Sequence, residues 1–262
     1  MYLRADHAEK SIPALRAFIQ KNPLGILMTA IESGAHPLLQ CSHIPWVLDV
    51  RDPKSETELG TLRGHMARAN PQAKALIENA KARAATTNAP QGQPIRLEKE
   101  VLVLFNAPVH HYVSARFNVE SKATTGKVVP TWNYAAVQAY GFLTVYFDPK
   151  SLHCVLRQQI SDLSDMAETE IMNFQEPWKV EDAPPSYINA LTKAIVGIEI
   201  EINRLGGKWK MSQEESPGDR AGIIAGFRGL GTESGNWMAS TIEERCAMSD
   251  AQKEAKKKQQ EE

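Results

Sequence analysis

Apolar and polar residues alternate most sharply at Ile195–Leu205, where Glu199 and Glu201 separate Ile198, Ile200 and Ile202. A two-residue period buries one face and exposes the other, so the segment predicts a half-exposed antiparallel strand. Gly206-Gly207 then predicts a turn, with Lys208–Met211 pairing back as a hairpin. Leu24–Ile31, Pro37–Gln40, His43–Val50, Leu59–Met66, Glu100–Phe105, Tyr112-Val113 and Gly141–Phe147 predict further short strands. Helical signals are fewer. Ser11 caps an amphipathic run carrying Leu15, Phe18 and Ile19, with Pro13 tolerated in the first turn and Asn22-Pro23 closing it. Asn70-Pro71 opens a second helix reaching about Arg83, and Leu152–Met166 and Pro184–Leu191 predict two more.

Many short strands, few helices and no β-α-β rhythm predict a mainly β fold, an antiparallel barrel with peripheral helices. Residues 84–94 (AATTNAPQGQP) are poor in apolar side chains and rich in turn formers, which predicts a flexible insertion ending near residue 98. One cofactor-binding domain is expected over 1–231, followed by a helical or disordered tail over 232–262.

The bulk properties narrow the classes. With 262 residues, 42% of them hydrophobic, the chain can bury a sizeable core. Its formal net charge of −1 supplies no field for nucleic acid, and the lysines at 253 and 256–258 sit in a polar tail with Glu254, Glu261 and Glu262. Cys41, Cys154 and Cys246 are scattered, which fits a reducing compartment rather than a disulfide framework. Without an apolar leader or a membrane-length apolar run, the expectation is a soluble, cytoplasmic protein.

Two segments place polar groups between strand-like runs. In Gly60–Pro71, Thr61, Arg63 and His65 share one face of an extended chain, followed by Arg68 and Asn70. Arginine matches phosphate or carboxylate, and imidazole ligates haem iron. The same spacing fits a histidine bonded to backbone and arginines in ion pairs. In Thr124–Tyr134, Lys127 and Thr131 offer donors while Trp132 and Tyr134 offer faces for a planar ring, or serve as core. Lys208 and Lys210 share a strand face that suits an anion, although a solvated edge is the simpler reading. His43 can line a pocket or be a satisfied core group.

Several strings in order, Asn22–Gly25, Ser42–Pro45, Gly64–Pro71, Gly126–Tyr134, Val196–Ile200 and Gly207–Gln213, resemble the PaiB-like proteins, known as FMN-binding negative transcriptional regulators. The resemblance runs from Met1 to about Gly226 and implies a split β-barrel, usually a homodimer with its cofactor at the subunit boundary. It departs at Ser114–Lys122, where the family usually has a Trp-Tyr pair. The family's piperazate synthases hold haem b and close an N–N bond in N5-hydroxy-L-ornithine, giving L-piperazic acid. That branch implies His65 as axial ligand to haem iron, with Arg63, Asn70, Arg68, Lys127, Thr131, Trp132 and Lys210 around the cofactor. His43 or Tyr134 is then the base acting on a hydroxylated amino acid. The alternatives are an FMN-binding oxidoreductase, with Arg63, Arg68, Lys127 and Thr131 on the phosphate, or a transcriptional regulator.

Overall fold

A computed structural model of the chain describes residues 1–88, 90 and 92–261, with side chains except at 149–154, 256 and 259–261. Ten strands form one hydrogen-bonded system: β1 (Ala8–Glu9), β2 (Leu24–Ala30), β3 (Leu39–Pro45), β4 (Val47–Asp49), β5 (Thr61–Ala67), β6 (Ile95–Arg96), β7 (Val101–Asn106), β8 (His111–Val113), β9 (Thr131–Tyr146) and β10 (Ile195–Lys210). The α-helices among the described residues are α1 (Ile12–Lys21), α2 (Pro71–Thr87), α3 (Val119–Thr124), α4 (Pro149–Met166), α5 (Pro185–Lys193), α6 (Pro217–Arg228) and α7 (Glu233–Glu261). The chain divides into two compact units. The larger comprises Ser11–Phe105 and Gln138–Leu205, and the smaller Met1–Lys10, Asn106–Val137 and Gly206–Glu262.

In the larger unit the strand order is β3-β2-β7-β9-β10-β5-β4. Six strand-to-strand steps would separate β3 from β4 by about 29 Å in a flat sheet. Only Trp46 lies between the two strands, and two residues of chain span at most about 7 Å. The sheet therefore curls until its ends meet, which is the split barrel. Its interior is filled by Leu27, Ile44, Trp46, Leu62, Val103 and Phe105, each no more than 1% exposed. Side chains of this size contribute roughly 1.5–3 kcal/mol apiece on full burial. Two glycines make the fit possible. A Cβ on Gly25 would lie 2.6 Å from the Phe105 ring, and one on Gly141 would lie 2.2 Å from the Glu201 carbonyl oxygen. Arg16, 3% exposed, pins the loop before β5 by donating to the carbonyls of Pro53, Ser55 and Glu58 at 2.8–2.9 Å.

The smaller unit holds the first part of β9, which pairs with β8 in the register Tyr112↔Trp132, and the end of β10, which pairs with β1 in the register Ala8↔Lys208. Helices α3 and α6 cap each other. Asp219, fully buried, accepts from the Glu120 and Ser121 amides at 2.8 and 3.1 Å, and Glu120 accepts from Ser216 Oγ and the Gly218 amide at 2.6 and 2.9 Å. Phe227, Met238 and Ile242 are buried along α6 and α7.

Several sequence expectations are corrected. Gly206 and Gly207 stay extended within one sixteen-residue strand, because β1 supplies the partner that a hairpin would have provided. β9 begins at Thr131 rather than Gly141, so the Thr-Trp-Asn-Tyr motif is strand. Helix α2 continues through Thr87 into the expected insertion, of which residues 89 and 91 lie outside the described residues. Helix α6 was missed although Ser216-Pro217 is a capped start, with Ser216 accepting from the Asp219 amide.

Candidate functional site

The sequence-predicted residues fall into two sets, one in each unit. In the larger unit, β5 alternates so that Leu62, Gly64 and Met66 face the core while Thr61, Arg63 and His65 face the other way, toward α4. Arg63 is clasped on both sides. It donates from Nε and Nη2 to Asp49, the latter at 2.7 Å, and from Nη2 to Asp162 of α4 at 2.8 Å. The two carboxylates hold its guanidinium well above the ordinary arginine range, and the cation is already matched. Beside it, His65 Nδ1 lies 2.7 Å from Gln159 Oε1, and Gln159 is 2% exposed. With the Gln159 amide oxygen as acceptor, Nδ1 donates and Nε2 is the ring nitrogen left for another partner. Gly197 opposite His65 leaves room for Leu156 of α4. Glu199 is opposite Arg63, and burial pushes its carboxyl and the Tyr146 phenol above their ordinary ranges.

The other predicted residues of this unit have different duties. Arg68 ties backbone ends together, donating to the Phe147 carbonyl at 2.9 Å and to those of Lys193 and Ile195 at 3.3 Å. Asn70 caps α2 by accepting from the Gln72 amide and donates to Ser42 at 3.0 Å, beside an open hollow of about 550 Å³. His43 is exposed on β3, opposite Ile26.

In the smaller unit the structure brings Thr131, Trp132, Tyr134 and Lys210 together. Lys210 Nζ donates to Thr131 Oγ1 and, at 3.2 Å, to the Trp132 carbonyl. Lys208, on the same strand face, is only 9% exposed and lies 5.4 Å from the centre of the Tyr134 ring and 5.9 Å from that of Tyr2. The solvated-edge reading therefore fails for Lys208, where β1 covers the edge, while Lys210 is half-buried. Neither ammonium has a carboxylate within ion-pair distance among the described residues. Burial holds Lys210 below the usual lysine range. Trp132, 48% exposed, stands edge-on to Tyr112 at 6.2 Å and donates to His110 Nδ1 at 3.2 Å. Lys127 is exposed in the loop following Gly126.

A curled antiparallel sheet with peripheral helices defines a split-barrel protein. Residues 1–204 match the family described as "Putative FMN-binding domain", and the chain belongs to that family. It is 54% identical over 254 residues to an uncharacterised protein of Emericella nidulans, covering 95% of this chain and 99% of that one. It is 23% identical over 244 residues to protease synthase and sporulation protein PAI 2 of Bacillus subtilis, covering 93% and 95%. Among solved structures, a FAD and haem binding protein from Mycobacterium smegmatis has a TM-score of 0.44 at 14% identity, covering 78% of this chain and 73% of that one. The flavocytochrome Anf3 from Azotobacter vinelandii has a TM-score of 0.42 at 9% identity, covering 80% and 72%. These likenesses are too distant to bear on the chemistry. No helix among the described residues is long and apolar enough to cross a membrane.

Proposed function

We propose that the protein binds FMN and acts as a flavin-dependent oxidoreductase on a small molecule. The observation that carries this is the Lys208–Lys210 pair. A buried ammonium and a half-buried one, neither ion-paired, are costly to hold, and a bound anion offsets that cost. The phosphomonoester of FMN supplies such an anion, with the Thr131 hydroxyl beside it. Trp132 and Tyr112 offer aromatic faces for a planar ring, and Tyr134 borders the lysines. Bound flavin supplies hydride and electron transfer, and the chain's own contribution is to hold it and shape the site. Lys127 completes the phosphate set from its loop. The membership in an FMN-binding family points the same way.

A second reading is favoured by one observation. The Nδ1 bond to Gln159 orients His65 as metal-ligating imidazoles are oriented, with Nε2 the free nitrogen. His65 would then hold haem b, which would supply Lewis acidity for N–N bond closure in N5-hydroxy-L-ornithine. Arg63 and Arg68 are engaged within the protein in either reading. A homodimer belongs to the proposal as well. The outward face of β2, β3 and β7 carries Leu24, Ile26, Met28, Leu39, Leu102 and Leu104, half-buried or exposed. A largely apolar sheet face is matched best by a second copy of itself.

The deciding experiment is the visible spectrum of the purified protein before and after dithionite. A two-peaked flavin spectrum that bleaches, and is lost in Lys210→Met, supports FMN. A Soret band that shifts on reduction and vanishes in His65→Ala replaces FMN by haem. Colourless protein that takes up neither cofactor refutes both. Sedimentation of wild type and Met28→Glu tests the dimer.

A further inference from the structure

His7 ends a single turn (Ala5–His7) that leads into β1, and it is 4% exposed. The register Ala8↔Lys208 sets it beside the lysine strand. Its Nε2 lies 2.8 Å from Glu214 Oε2, on the segment that the left-handed Ser212 (φ 60°) turns back after β10. Burial works against ionising Glu214, yet the His7 hydrogen bond and the charges of His7 and Lys210 hold its carboxyl down at about 2. Glu214 is thus an anion throughout the working pH range. Its field reaches Lys210, although the two make no ion pair.

The other charges facing His7 are nearly balanced. Arg4 pairs with Asp6 at 3.1 Å on the same segment, and Glu9 pairs with Arg245 of α7 at 2.8 Å. Glu215, next to Glu214, is pushed above the ordinary carboxylate range by burial. Lys208 and Lys210 complete the set on β10. With imidazolium at position 7, the three cations His7, Lys208 and Lys210 outweigh Glu214 and Glu215 by one charge. With neutral imidazole that excess is gone, and only the two lysines offset the carboxylates.

We propose that His7 and Glu214 are a positioning pair that sets the charge of the lysine subsite, and with it the preference for a phosphomonoester dianion. This rests on the FMN reading and adds residues outside the lysine strand to it. Protonated His7 favours the phosphorylated ligand, and deprotonation weakens it through Glu214.

The test compares FMN with riboflavin, which lacks the phosphate, on the full chain. Affinities for wild type, His7→Gln and Glu214→Gln are measured from about pH 6.5 to about pH 8.5, where the phosphate is already mainly a dianion. In wild type the FMN-over-riboflavin preference should fall roughly 5–10-fold, the effect of one charge several ångströms away in partly screened surroundings. The fall should track the imidazole titration of His7 followed by NMR. His7→Gln should hold the lower preference at every pH, and Glu214→Gln should raise the preference above that of wild type at each pH. Circular dichroism confirms that each variant is folded, and either variant alone suffices. Both flavins binding with the same pH slope in all three proteins overturns the pair's role. A wild type that binds neither flavin overturns the cofactor reading itself, and the pair's role with it.

Discussion

Replacing Arg63 by methionine separates a structural clasp from a cofactor ligand. Its guanidinium is bound by Asp49 and Asp162, and the side chain is 15% exposed against 44% and 31% for the two carboxylates. Breaking a fully buried pair costs about 3–5 kcal/mol, and breaking an exposed one less than about 1 kcal/mol. Carboxylates with one-third to nearly half their surface in water lie between these limits, so the expected loss is about 2 kcal/mol. Methionine keeps the packing of the aliphatic stem, so the loss comes from the unpaired carboxylates. For a chain of this size that lowers Tm by about 4–8 °C. The assay is a urea titration of both proteins, with FMN affinity by fluorescence quenching. The clasp predicts a clear stability loss with FMN affinity within about twofold of wild type. Undiminished stability with FMN binding abolished would falsify it and return Arg63 to the cofactor.

Other substitutions test separate links. Gly141→Ala drives a methyl into the Glu201 carbonyl, and overpacking of this kind costs about 1–3 kcal/mol, read as a lower urea midpoint. Asp219→Ala strips the acceptor from two amides at the start of α3 and should cost about 2–4 kcal/mol, with faster amide exchange at Glu120 and Ser121 as the local signature. The Glu214 carboxyl is depressed from 4.5 to about 2, so its contribution to stability is complete above pH 4.5 and disappears as the pH falls toward 2. Acid unfolding of wild type and Glu214→Gln should therefore converge across that window, and parallel curves would discount the His7 bond.

Much of the fold was legible because alternation is a local signal. The isoleucines at 198, 200 and 202 are all buried, and Ser11 caps α1 as its sequence suggests. What escaped was set at a distance. Nothing around Gly206-Gly207 reveals that residues 8 and 9 will pair there and keep the chain extended. The same β1 turns Lys208 from an expected surface lysine into a buried one. Arg63 and His65 were visible as neighbours on one strand face, but Asp162 and Gln159, which engage them, lie about a hundred residues further on. A strand face can be read from its own period, whereas the helix that covers it cannot.

The one-residue link at Trp46 also has a consequence for synthesis on the ribosome. Strands β2 to β5 emerge early and in order, and β4 pairs with β5 at once, yet the other edge of β5 finds its partner only in β10, with Arg63 opposite Glu199. At roughly 5–20 residues per second, the intervening 136 positions take about 7–27 s to appear. For that interval Leu27, Ile44, Trp46 and Leu62 belong to a sheet that cannot close. The nascent chain thus carries its future barrel lining exposed for many seconds, a window in which a holding chaperone bound near Trp46 would decide between a closed barrel and an aggregate.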